Sequence, residues 1–449
     1  MLSNLLLSQI AEICHGELIG ADRVILSIST DSRTVCNDAI FVALKGDVFD
    51  GHDFVKKALE GRFCAALVER DLGVYPTIVV EDTLKAYGDI AHYIRSQFKG
   101  AIIAITGSNG KTTVKEWLSQ ILSQNLSVLK TQKNENNQIG VPKTLLNLEE
   151  HHRVAIIETG TSFPGEIPKM GAVIVPDIAI ITNASGSHFS GFGSLEAIAQ
   201  EKGALLLTSK KEGVVVLNRD DPFYSYWVGL SVGRQIKSFG FESNADLYAD
   251  DLEFHADSSV VTFHYENESL RASVASPGKH QVANAMAVVQ TLISLGWSFS
   301  LAVQTLSMPL TISGRLQKIM SQHRPLLLND CYNASPKSVN AAIDVLMFQN
   351  AQERVFVLGA LGELGLLETE IHEEIGRYAF SSGVNVLIAL GPTAGKAVKV
   401  FSEQGGQGFV YNTHAEIAQK LKELNESSAI LIKGSRSAQM EKVIEELDY

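Results

Sequence analysis

A chain of 449 residues with 45% hydrophobic and 20% charged residues has the balance of a folded globular protein. That length is enough for roughly two to four domains of ordinary size. A formal net charge of -12 argues against a general binder of nucleic acid or anionic membrane, which carries a basic surplus. A phosphorylated small molecule stays open, because a local nest of backbone N–H groups binds phosphate whatever the global charge. Cys14, Cys36, Cys64 and Cys331 form no C-x-x-C pair, which speaks against a zinc knuckle or a disulfide framework and suits a reducing cytosol. The opening MLSNLLLSQIAEICHG has no basic leader, and Gln9 and Glu12 interrupt its apolar residues at helical spacing. An amphipathic helix is therefore expected there rather than a targeting segment. No apolar run approaches the ~20 residues of a membrane span. A soluble cytoplasmic protein is expected.

The fold class expected is α/β, in three blocks. The first, 1–98, opens with a helix over 5–14, passes through short strands around 25–28 and 40–43, and ends in a helix over 85–98. The second, 99–314, begins with the apolar strand AIIAIT, a Gly-rich loop and a helix over 113–122. Strand-like runs follow at 128–130, 154–157, 178–182 and 214–217, then an irregular β-rich stretch (247–274) and a helix over 282–295. Strands alternating with helices imply a parallel sheet covered on both faces. The third block, 315–449, repeats the alternation: RPLLLND, RVFVLGA, VNVLIALG, GFVYN and AILIKGS read as strands, with helices such as 338–347 and 415–424 between them. It reads as a second doubly wound domain.

The strongest local signal is Thr106-Gly107-Ser108-Asn109-Gly110-Lys111-Thr112-Thr113. Two glycines let the backbone turn tightly, so that successive N–H groups face phosphate oxygens at a helix N-terminus. Lys111 is placed to reach the β- and γ-phosphates, and the Thr112 hydroxyl to join a Mg²⁺. The longer phosphate-loop pattern has a further Gly where this chain has Ile105. The competing reading is an ordinary strand-to-helix turn with an exposed lysine. A buried strand before and a helix after favour the phosphate loop.

T-G-S-N-G-K-T-T resembles the ATP loop of the Mur ligases and their folylpolyglutamate synthetase relatives. Other segments resemble the same family in the same order: STDSRTV and AIFVALKGDVFDGHDF (29–54), NENNQIGVPKTLL (134–146), ETG and PGEI (158–167), ITNASGSHFSGFGSLEAIAQEKG (181–203), GKHQVANAMA (278–287), SGRLQ (313–317), NDCYNASPKS (329–338) and KGSRSAQMEKV (433–443). The last two are those of the branch that adds D-alanyl-D-alanine to a UDP-linked muramoyl tripeptide. The alternatives are the diamino-acid-adding branch, another amide ligase of the superfamily, and a regulatory ATPase that forms no amide. The chain departs from the family pattern at Lys133, Glu135, Thr159, Thr161-Ser162 and Phe163.

The resemblance implies three domains: a UDP-substrate domain (1–98), a central ATP-binding domain (99–314) and a C-terminal Rossmann-like domain (315–449). It implies phosphoryl transfer from ATP to a carboxylate, then attack by an amine. On it, Lys111, Glu158, His188 and Lys202 carry the chemistry. Gly107, Ser108, Asn109, Gly110, Lys111, Thr112 and Thr113 hold the phosphates. His280 and Asn284 lie around the adenine, and Arg315 and Asp330 reach phosphate and ribose. Mg²⁺ is to be held by Thr112, Glu158, His188 and a carbamylated Lys202. Ser32, Arg33, Lys45 and Gly46 match the UDP module, Asn136 and Asn137 lie near the muramoyl part, and Lys433 and Arg436 suit the dipeptide carboxylate. Without the family each residue has a plainer reading. A strand-end Glu is usually at the surface, a loop His is usually solvated, and Lys202 beside Glu201 reads as an exposed helix pair.

Overall fold

The computed structural model describes residues 5–33, 38–46, 48–61, 63–186 and 189–447. Among these the alternation of strand and helix builds three main sheets, each dominated by parallel pairs. The first runs in the order Glu17–Ile19, Thr77–Val79, Phe63–Val68, Ala39–Val42, Ser27–Ser29, with only the first pair antiparallel. Phe63–Val68 is buried along its whole length, as a strand covered on both faces must be. The helix expected from residue 5 starts at Leu7, because Leu5 and Leu6 pair antiparallel with Ile25 and Val24. Leu6 is extended, and its N–H donates to Gln9 Oε1 at 2.9 Å. Helix Thr83–Gln97 is capped by Asp82, whose carboxylate accepts from the N–H groups of Leu84 and Lys85.

The second sheet has nine strands in the order Glu268–Val274, Ser259–Tyr265, Leu247–Phe254, Gln235–Gly240, Val214–Asn218, Ile178–Ile181, Ala101–Thr106, Val154–Glu158, Val128–Lys130. It is parallel from Val128–Lys130 as far as Leu247–Phe254. The stretch 247–274 proves to be an antiparallel meander. A register shift between Asp250 and Glu253 breaks its alternation, which is why the sequence looks irregular there. Strand Ala101–Thr106 lies between Val154–Glu158 and Ile178–Ile181, so the chain order reverses on its two sides. A crevice opens at the carboxyl ends of strands at such a point.

The third sheet runs Gln317–Ile319, Leu326–Asp330, Ser428–Lys433, Glu353–Leu358, Val386–Leu390, Gln407–Tyr411, parallel except for its first pair. Its helices begin earlier than periodicity predicts, at Pro336 and His414, because Ser335 and Thr413 form capping boxes. No helix among the described residues is long and apolar enough to cross a membrane.

The first and second sheets are tied by one buried cation. Arg95 donates to the carbonyls of Ile174 (2.7 Å) and Val175 (2.8 Å) and pairs with Asp177 at 3.1 Å. Lys210 also pairs with Asp177, so losing Arg95 leaves two carbonyls stranded but the carboxylate still partnered. Arg95→Met is expected to destabilise the chain by about 2–3 kcal/mol, read as an earlier transition in calorimetry.

Candidate functional site

The carboxyl ends of Ala101–Thr106, Val154–Glu158 and Ile178–Ile181 meet around the Gly-rich turn. Gly110 caps helix Lys111–Leu122 in the left-handed region (φ 86°), and a Cβ on it would lie 2.3 Å from Asn284 Oδ1. Gly107 (φ 150°) faces Thr182 Oγ1 so closely that a Cβ would sit at 1.9 Å. The turn is held from outside. Ser108 N–H donates to the Asn183 carbonyl at 2.9 Å, Asn109 N–H to Asn183 Oδ1 at 3.1 Å, and Ser108 Oγ to the Ser185 carbonyl at 2.9 Å. Lys111 folds over the turn and donates to the Gly107 carbonyl at 2.6 Å. Thr112 and Thr113 follow in the first helical turn, where backbone N–H groups have no intrahelical acceptor.

Glu158 is the buried anion of this crevice, 2% exposed. Its Oε1 accepts from Thr112 Oγ1 at 3.2 Å and from Asn136 Nδ2 at 2.9 Å. Its Oε2 is buried with no hydrogen-bond donor. Burial alone would push this carboxyl up, but Lys115, Lys111, the Asn136 amide and Arg315 together hold it below the usual carboxylate range. Its backbone N–H donates to Thr131 Oγ1 at 3.0 Å, which fixes the strand end.

Lys202 is buried rather than exposed, at 2%. Glu201 does not pair with it, because that carboxylate accepts from the N–H groups of Gly165 (2.8 Å) and Ile167 (2.6 Å) at the start of helix Glu166–Ile174. Burial, helped by the charge of Lys111, lowers the Lys202 ammonium to about 7. His188 lies outside the described residues. Among the described residues no cluster of three or more His, Cys, Asp and Glu side chains gathers.

The third sheet reaches into the same turn. Arg315 Nη2 donates to Thr112 Oγ1 at 2.9 Å, and its guanidinium lies over the Tyr332 ring, 4.4 Å from the centroid. Ser335 Oγ donates to Asn109 Oδ1 at 2.9 Å. Asp330 and Lys433, on adjacent parallel strands, are both buried and bonded to each other at 2.5 Å. Asp330 also accepts from Leu316 N–H at 3.1 Å, so both its oxygens are engaged within the protein. Lys433 donates further to the Asn333 carbonyl. Arg436 is exposed and pairs with Glu441 at 2.7 Å.

Beside the turn a cleft is lined by Asn109, Gly110, Asn183, Phe239, His280 and Asn284, among others. Asn284 Nδ2 donates to Gln281 Oε1 at 3.1 Å, leaving its carbonyl near Gly110. Burial, with the Lys433 charge, lowers the His280 imidazole to about 4, so it is neutral at physiological pH.

The UDP-module residues sit after two adjacent parallel strands of the first sheet, Ser27–Ser29 and Ala39–Val42. Ser32 and Arg33 lie in the first turn, where Arg33 pairs with Asp31 at 2.8 Å. Lys45 pairs with Glu69, and Gly46 N–H donates to the Phe49 carbonyl. Asn136 turns toward Glu158, whereas Asn137 Oδ1 accepts from Ile139 and Gly140 N–H at the start of helix Gly140–Leu145. Sequence reasoning missed Lys115, Thr131, Asn183, Tyr332 and Ser335. Asn183, Tyr332 and Ser335 stood inside quoted motifs, while Lys115 carried no signal.

Family models match three stretches: "Mur ligase family, catalytic domain" over 24–96, "Mur ligase middle domain" over 105–292 and "Mur ligase, glutamate ligase domain" over 314–436. The chain belongs to the Mur ligase family, the ATP-dependent amide ligases. It is 34% identical to the UDP-N-acetylmuramoyl-tripeptide–D-alanyl-D-alanine ligase of Escherichia coli (strain K12), covering 98% of each chain. Among solved structures it is similar to MurF from Acinetobacter baumannii (TM-score 0.91, 32% identity, 98% of each chain). It is also similar to MurF ligase from Thermotoga maritima in complex with ADP (TM-score 0.84, 27% identity, 94% of this chain and 97% of that one).

At Gly110, a side chain adds about 1–2 kcal/mol of left-handed strain to a clash with Asn284. Gly110→Ala is expected to weaken ADP binding at least about tenfold in titration calorimetry, with an unchanged circular dichroism spectrum.

Proposed function

We propose that this chain joins the amine of D-alanyl-D-alanine to the terminal carboxylate of a UDP-N-acetylmuramoyl tripeptide, with ATP as the energy source, in cytoplasmic synthesis of the peptidoglycan precursor. The relatives at 34% and 32% identity carry that activity in their names. The observation that carries the chemical part is a buried, ionised Glu158 bonded to the Thr112 hydroxyl at the phosphate turn, with Arg315 arriving from the third sheet. The division of labour follows the three blocks: 1–98 for the UDP-muramoyl substrate, 99–314 for ATP, and 315–449 for the dipeptide and domain closure. The enzyme is proposed to act as a monomer.

The tripeptide carboxylate attacks the γ-phosphorus, ADP leaves, and an acyl phosphate forms. The amine then attacks the acyl carbon, phosphate departs with the electrons of the C–O bond, and the amine sheds its proton to water. Two like charges 4 Å apart repel by about 4 kcal/mol at an effective dielectric near 20, so cations must stand between carboxylate and triphosphate. Lys111 leaves the Gly107 carbonyl for the β- and γ-phosphates, the backbone N–H groups of 110–113 cradle them, and Arg315 turns from Thr112 to the γ-phosphate. The Asn284 amide and neutral His280 orient the adenine in the adjoining cleft. The Asp330–Lys433 pair holds the 315–316 turn, which leaves Arg436 for the dipeptide carboxylate. Ser32, Arg33, Lys45 and Gly46 bind the UDP moiety, and Asn136 holds Glu158.

Mg²⁺ fits this donor set: a hard cation takes oxygen ligands, and Glu158 Oε2 is a buried oxygen with no donor beside the Thr112 hydroxyl. When bound it neutralises phosphate charge and draws the reacting oxygens together. Glu158 and Thr112 would hold it, with His188 and a carbamylated Lys202. Carbamylation consumes a neutral amine and CO₂ and releases one proton, leaving an anion on Lys202. The lowered pKa of that amine supports it, since the neutral form dominates above about 7.

Phosphate release from ATP is expected only when both UDP-muramoyl tripeptide and D-alanyl-D-alanine are supplied. Release indifferent to either substrate would mark a regulatory ATPase, and release with a diamino acid in place of the dipeptide would mark the neighbouring branch. Lys202→Ala is expected to abolish turnover, with partial recovery on adding a small carboxylic acid. In ¹³C NMR with labelled bicarbonate, the wild-type carbamate signal should strengthen as pH rises through about 7 and vanish below it. Full activity of Lys202→Ala without additive would remove the lysine from the mechanism.

A further inference from the structure

Lys115 is buried, 1% exposed, and the reaction scheme does not use it. It follows the phosphate turn by one helical turn, on Lys111–Leu122. Its ammonium donates to the Thr131 carbonyl at 3.0 Å and lies 3.4 Å from Glu158 Oε2 and 3.2 Å from Glu116 Oε1. The Glu158 contact is an ion pair and not a hydrogen bond, since Oε2 has no donor. Glu116 is shared with Lys130 and is partly exposed, so Glu158 is the one carboxylate near Lys115 that is fully withdrawn from water. Lysine is almost never fully buried without an anion to meet it. Three cations, Lys115, Lys111 and Arg315, act on the single charge of Glu158.

We propose that Lys115 is the resident counter-cation of Glu158: it cancels the carboxylate while the crevice is empty, so that a divalent cation is excluded until a nucleotide brings its own negative charge. The idea rests on Glu158 being a metal ligand. An ammonium within 4 Å of a ligand oxygen repels an incoming dication, and the repulsion is little screened in a buried site. A triphosphate reverses the sign of the local field, and metal and nucleotide then enter together. Lys115 is thus a positioning residue, acting on the metal through Glu158.

The test is Mn²⁺ binding to the full chain, followed by the electron paramagnetic resonance of free Mn²⁺, with no nucleotide and then with ADP. Lys115→Met is expected to bind Mn²⁺ alone at least about tenfold more tightly than wild type, whereas Lys115→Arg stays like wild type. The gain should vanish in the double variant Lys115→Met with Glu158→Gln. A merely structural role predicts weaker binding on substitution, never tighter. If the methionine chain does not fold, Lys115→Gln keeps a donor for the Thr131 carbonyl and should show the same gain. Lys115→Met or Lys115→Gln binding Mn²⁺ no more tightly than wild type, while Glu158→Gln weakens Mn²⁺ binding with ADP, overturns the role of Lys115 alone. Glu158→Gln leaving Mn²⁺–ADP binding intact overturns the metal reading of Glu158, and the counter-cation role with it.

Discussion

One ionised carboxylate in a dry crevice sets the terms for the rest of the molecule. An unpaired buried charge costs many kcal/mol and would simply take up a proton. Glu158 keeps its charge because Thr112, Asn136, Lys115, Lys111 and Arg315 converge on it. These groups come from the helix after the phosphate turn, the segment following strand Val128–Lys130, and the edge of the third sheet. No one of these elements can carry the site. The nine-stranded sheet supplies the frame by ending three strands at the point where its order reverses, so side chains distant in sequence share one crevice.

Legibility followed the range of the interaction. Strands such as AIIAIT and VAIIE were readable because parallel strands covered on both faces are unbroken apolar runs. Helix starts slipped by one or two residues where a cap decided the boundary, as at Ser335 and Thr413, because caps lie outside the apolar period. The meander lost its alternation at the register shift near Asp250. The phosphate turn was legible whole, since its chemistry is backbone chemistry and glycine marks it.

The burial of two lysines, Lys115 and Lys202, was not legible in the local pattern, and the reason is the same for both. Lys115 and Lys202 each adjoin a glutamate in the sequence, the mark of a solvated helix face. In the folded chain Glu116 also meets Lys130, and Glu201 caps another helix through the N–H groups of Gly165 and Ile167. Those partnerships span 14 to 36 residues and depend on which elements pack together. Likewise Asp330 and Lys433 pair across 103 residues because their strands are neighbours, a fact that no local pattern carries.

The contacts between the second and third sheets bear on how the site works. Away from the turn they include a ring stack of Phe254 on Phe348, at 5.2 Å, and one side-chain bond from Gln349 to the Ala256 carbonyl. At the turn they are two polar bonds, Arg315 to Thr112 and Ser335 to Asn109. The neutral Ser335 bond is worth about 1 kcal/mol net and the Arg315 bond, with its charged donor, somewhat more; each uses an atom that a nucleotide bound there would also seek. A triphosphate would offer Arg315 an ionised acceptor in place of a neutral hydroxyl, a stronger pair than the one it displaces. That difference, and not the total strength of binding, is what can bias the arrangement of the two sheets. Because Arg315 belongs to the edge of the third sheet, a phosphate bound at the turn would act on the same part of the chain that carries Arg436.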